Sequence, residues 1–106
     1  MTTAKLYPGA CGMEVLINVS TLENDIIKLE MFSECEMVVN MNKELNEFNW
    51  KKGVFGKILD SQIYQISSRY LKHVDCPVPS AILKAIQVEV GAAVDQEVIL
   101  KVKKES

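Results

Sequence analysis

Residues 13–32, MEVLINVSTLENDIIKLEMF, decide the fold class. Val15, Ile17 and Val19 fall on one side of an extended chain, and Glu14, Asn18 and Ser20 on the other. This is the two-residue period of a half-buried strand. Leu22-Glu23-Asn24-Asp25 supplies a turn, because Asn and Asp side chains can bond to their own backbone there. Ile27, Leu29 and Met31 then alternate with Lys28 and Glu30. So short a connection makes the two strands an antiparallel hairpin.

From Ser33 onward the period changes to that of a helix. Ser33 and Glu36 have the spacing of a capping box, and Val38, Met41, Leu45 and Phe48 share one helical face. Residues 49–53, NWKKG, end that helix, and a short turn over 54–59 follows. Asp60 or Ser61 can cap a second helix with Ile63, Ile66 and Tyr70 inward, ending near Lys72-His73. Val78 precedes a proline and is pushed extended. Pro79 suits the first turn of a third helix, where its missing N–H costs nothing. That helix is expected from Ser80 to about Val90, with Gly91 as its C-terminal stop. Val98, Leu100 and Val102 alternate with Ile99, Lys101 and Lys103, which predicts a closing strand.

The expected order is β-β-α-α-α-β in one domain spanning residues 1–106: an α+β two-layer sandwich, an antiparallel sheet with helices on one face. The closing strand is placed beside residues 13–20. Val15, Ile17, Leu29, Val38, Met41, Ile66, Ile82, Ile86 and Leu100 form the expected core.

Hydrophobic residues at 48% and charged residues at 25% are ordinary globular usage. A formal net charge of −2, with no basic stripe interleaved with aromatics, argues against nucleic acid as a partner. No run approaches the ~18–20 apolar residues of a membrane span, and no apolar segment follows Met1 as a signal peptide requires. A cytoplasmic protein with reduced thiols and no membrane partner is expected.

Three cysteines are an odd number, unsuited to a disulfide framework. Cys11 lies in Pro8-Gly9-Ala10-Cys11-Gly12, Cys35 near the start of the first helix, and Cys76 before Pro77 in the loop leading to the third. The topology places Cys11 and Cys35 at one end of the hairpin, and the loop carrying Cys76 is free to join them. One reading gathers Cys11, Cys35 and Cys76, with His73 as a further ligand, around zinc or an iron–sulfur cluster, since thiolates select these soft metals. A second is thiol redox chemistry. Cys35, near a helix start whose partial positive charge favours thiolate, is the nucleophile, and Cys76 is its resolving partner. A third makes the cysteines buried core residues of a non-catalytic binding or assembly module. Its protein partner or homo-oligomer would use an apolar patch around Trp50, Val54 and Phe55. No phosphate loop, dinucleotide fingerprint, nucleophile elbow or His-Glu-x-x-His occurs.

Tyr7-Pro8-Gly9-Ala10-Cys11-Gly12 and Cys76-Pro77-Val78-Pro79-Ser80-Ala81-Ile82-Leu83-Lys84-Ala85-Ile86, together with Cys35, resemble a family of short uncharacterised proteins from methanogens and other anaerobes. The resemblance implies a cytoplasmic protein of an anaerobe, a setting where thiolate–metal sites are common, and says nothing of substrate.

Overall fold

In the computed structural model, which describes residues 1–105, four strands form one antiparallel sheet in the order β1-β2-β3-β4. They are β1 (Thr2–Leu6), β2 (Val15–Thr21), β3 (Ile26–Ser33) and β4 (Glu47–Asn49). Helices α1 (Glu36–Leu45), α2 (Gln62–Tyr70) and α3 (Val78–Glu89) complete the domain, with a short 3₁₀ turn at Ile58–Asp60.

The hairpin forms where the sequence predicts it. Val15 pairs with Ser33, Ile17 with Met31 and Val19 with Leu29. Its turn is closed by Ile26 N–H donating to Glu23 O, 3.2 Å. Asn24 and Asp25 both have positive φ, as a tight right-twisted hairpin requires at its two central residues. Val15, Ile17, Val19, Ile27, Leu29 and Met31 are buried on one sheet face. The helices cover that face: α1 packs on β3, and α3 on β1 and β2. Val38, Met41 and Leu45 from α1, Ile63 from α2, and Val78, Ile82, Ala85 and Ile86 from α3 complete the core.

Two expectations about the strands are corrected. The position beside β2 is taken by residues 2–6, with Ala4 opposite Ile17 and Leu6 opposite Val15. Residues 98–102 are not a strand, and the expected core residue Leu100 is 81% exposed. The β-β-α-α-α-β order therefore gains a strand at its start and a short one after α1, and loses its last. Ile66 is half-buried against the core rather than inside it.

The capping box at α1 is also replaced. Ser33 ends β3 and its hydroxyl donates to Glu14 O, 2.8 Å, while accepting from Cys35 N–H, 3.1 Å. With that oxygen already engaged, the helix starts later and Cys35 is its N-cap, without a side-chain cap bond. Ser61 does cap α2, accepting from Tyr64 N–H. At the end of α3, Gly91 N–H donates to Val88 O and Ala92 N–H to Gln87 O, the two bonds of a Schellman stop. Gly91 supplies the left-handed residue at φ +79°.

Asn42, to which the sequence reading assigned no role, ties α1 to the sheet. Its side chain accepts from Met31 N–H, 3.0 Å, and donates to Leu29 O, 2.8 Å. Beyond the three residues that β4 pairs, Asn42 thus satisfies the exposed margin of β3.

Candidate functional site

Three chain segments meet at one end of the sheet. The β1–β2 loop leaves from Leu6 and returns at Val15, and β3 ends opposite Val15 at Ser33. The third segment is the start of α3. At the other end of that helix, Glu89 accepts hydrogen bonds from Thr2 and Thr21, 2.7 and 2.9 Å. A helix of 12 residues is ~18 Å long, about the length of the strands it crosses, so α3 begins beside Leu6, Val15 and Ser33. Each segment carries one cysteine.

Cys11 is exposed, in a turn where Gly12 N–H donates to Gly9 O, 2.9 Å. Cys35 is half-buried at the N-cap of α1, and its carbonyl accepts from Val39 N–H, 3.1 Å. Cys76 is half-buried in the turn His73–Cys76, its N–H donating to His73 O, 3.1 Å. Cys35 and Cys76 both pack against the core.

Burial pushes the Cys76 thiol above the ordinary value of 9.0. The Val78 N–H, at the first turn of α3, opposes this by bonding the sulfur. Negative charge on Cys35, on Cys11 and on Asp75 then adds to the rise. A thiol so raised is protonated at neutral pH, and coordination to a metal would remove its proton.

Among the described residues, no three His, Cys, Asp or Glu side chains stand in an arrangement ready to hold a metal ion. His73 is exposed just beyond α2. An open cleft of about 620 Å³ lies at the same end, lined by Tyr7, Gly12, Glu14, Ser33 and Glu34 among others. It is walled by the segments that carry Cys11 and Cys35.

Of the residues suggested for an apolar patch, Val54 is buried in the core and Trp50 half-buried, while Phe55 is exposed together with Ile58 and Leu59. Among the described residues no helix is long and apolar enough to cross a membrane.

A family model matches residues 2–102. The chain belongs to DUF6951, a family of unknown function. No curated protein and no solved structure matches it. The match takes in all three cysteines, every strand and helix, and most of the segment after α3.

Proposed function

We propose that this DUF6951 protein is a cytoplasmic thiol-site protein in which Cys11, Cys35 and Cys76 together take up one soft metal ion, zinc or the iron of an iron–sulfur cluster. One observation supports the reading: the strand pairing and the direction of α3 bring the loops bearing Cys11, Cys35 and Cys76 towards one end of the sheet. Three thiols repel one another as they ionise, and a thiophilic cation converts that repulsion into binding. Cys35 and Cys76 rest on the core, whereas Cys11 sits on an exposed, glycine-flanked turn. Binding draws Cys11 inward and leaves a fourth position for His73, for water or for a ligand entering through the cleft. The resemblance to proteins of methanogens and other anaerobes fits this chemistry, because thiolate–metal centres persist where oxygen is scarce.

Elemental analysis of protein purified without oxygen is the test. One equivalent of zinc or a stoichiometric iron content is expected, and it is lost in Cys35→Ser. Metal-free protein whose three thiols all react freely contradicts the reading.

A second reading has its own support, since Cys35 and Cys76 both pack against the core whereas Cys11 is exposed. Cys35 and Cys76 then work as a dithiol. Attack by Cys35 on a partner's disulfide, followed by resolution by Cys76, reduces that disulfide to two thiols as the pair closes into its own. Protein that holds no metal but forms a reversible Cys35–Cys76 disulfide selects this chemistry.

A further inference from the structure

Cys11 and Cys35 are 24 residues apart along the chain, yet one hydroxyl links their backbones directly. The Ser33 Oγ donates to Glu14 O, 2.8 Å, and accepts from Cys35 N–H, 3.1 Å. Glu14 is the last residue of the loop that carries Cys11, and Cys35 is the N-cap of α1. A single oxygen atom thus fastens the end of one cysteine-bearing segment to the start of another.

The residue type suits the position. Pairing of β2 with β3 stops at Val15 and Ser33, where the chain turns towards α1. The Ser33 O–H adds one more bond beyond that last pair, to the Glu14 carbonyl. Its lone pairs meanwhile accept from the N–H two residues on, a local turn that serine and threonine favour. An apolar side chain can do neither. Between Cys11 and the held Glu14 lie only Gly12 and Met13. Gly12 has φ +71° and open space around it, so rotation there moves Cys11 while Glu14 stays in place.

We propose that Ser33 is a positioning residue of the thiol site, holding the Cys11 loop against the Cys35 backbone so that the inward movement of Cys11 is confined to the turn at Gly12. This role rests on the three-thiol reading and adds to it a residue that contributes no ligand. Groups that hold metal ligands in place are worth about 10–100-fold in affinity. Ser33 is half-buried and acts on backbone rather than on a sulfur, so the lower end of that range, about tenfold, is expected.

Cobalt(II) titration of the metal-free full chain, beside Ser33→Ala, Ser33→Val, Ser33→Thr and Thr3→Ala, tests this. Ser33→Val has the shape of Ser33→Thr without the hydroxyl and favours a strand, so it keeps the comparison intact if Ser33→Ala folds poorly. Thr3 donates one hydroxyl bond to Asn18 elsewhere on the sheet and controls for losing such a bond. Ser33→Ala and Ser33→Val should reach the parent's charge-transfer intensity with about tenfold weaker binding, whereas loss of a ligand would lower the intensity itself. Ser33→Thr and Thr3→Ala should bind as the parent does.

A second measurement needs no metal. A short bifunctional thiol reagent, with the linked peptides identified by mass, should join Cys11 to Cys35 several-fold faster in the parent and Ser33→Thr than in Ser33→Ala and Ser33→Val. Cross-linking that depends on Ser33 in protein that binds no cobalt overturns the metal reading and leaves the positioning role standing. Equal affinity, or equal cross-linking, in the parent and the variants without the hydroxyl overturns the positioning role. So does a weakening that Ser33→Thr fails to restore or that Thr3→Ala shares.

Discussion

Cys76, just ahead of α3, packs half-buried against the same core as Cys35 at the N-cap of α1, and burial pushes its thiol above the ordinary value. Burial sets the larger share of that effect, so Cys76 is a weak nucleophile at neutral pH. Labelling with a thiol reagent at pH 8 should modify exposed Cys11 roughly tenfold or more faster than Cys76. The raised thiol also shapes stability. It contributes fully below the ordinary value of 9.0, and that contribution is lost as pH climbs through the higher folded-state value. Unfolding measured from pH 8 upward should show an alkaline decline that is shallower in Cys76→Ala.

Asn42 satisfies two backbone groups of β3 that no strand reaches. Asn42→Ala leaves the Met31 N–H and the Leu29 carbonyl without this partner, although Leu29 O still accepts from Asn46 Nδ2, 3.3 Å. Leaving a backbone donor unpaired costs about 1–3 kcal/mol. Denaturant unfolding should show a lower midpoint at unchanged slope. A loss below about 0.5 kcal/mol would mean that water replaces the side chain at no cost.

Much of this arrangement was readable from residues alone. The hairpin over 15–33 announced itself because apolar and polar residues alternate without a break and Asn24-Asp25 tolerates left-handed backbone. β1 carries no strand pattern in the sequence because Thr2-Thr3-Ala4-Lys5-Leu6 is an edge strand, whose small and polar core-side residues need no full burial. The tail misled for the opposite reason, since Val98, Leu100 and Val102 carry the pattern while β1 already fills the place beside β2. Cys11 and Cys35 could be put at one end of the sheet because pairing aligns residues 15 and 33. The loop before α3 was only free to join them, and the bonds from Glu89 to Thr2 and Thr21 establish which way that helix runs. His73 shows the limit of spacing: three residues from Cys76 in sequence, it is exposed whereas Cys76 is half-buried.

Gly53 has φ +80°, and a Cβ there would meet the Gln62 backbone nitrogen at 2.3 Å. Its carbonyl also accepts the Ser61 hydroxyl at the start of α2. Gly53→Ala should therefore cost about 1–3 kcal/mol, read as a fall in melting temperature. A variant as stable as the parent would show that the 50–61 segment can shift away from α2.

Glu89 loses solvation where it is partly buried, but hydrogen bonds from Thr2 and Thr21 and the amino group of Met1 outweigh this and lower its carboxyl below the ordinary 4.5. Its stabilisation is present above the ordinary carboxylate range and is lost as pH falls through the depressed value. Glu89→Gln should cost about 1–2 kcal/mol at pH 7, and the gap to the parent should narrow below pH 4.5. A difference independent of pH would assign the effect to shape rather than charge.

Titrating the reduced, metal-free protein with cobalt(II), and following thiolate-to-metal charge transfer together with proton release, tests most directly whether three separate thiols serve one metal. Saturation at one equivalent, a tetrahedral spectrum and about three protons released per metal are expected. Band intensity should fall by roughly one-third in each of Cys11→Ser, Cys35→Ser and Cys76→Ser. A titration with no charge-transfer band, or one indifferent to Cys11 and Cys76, would contradict it.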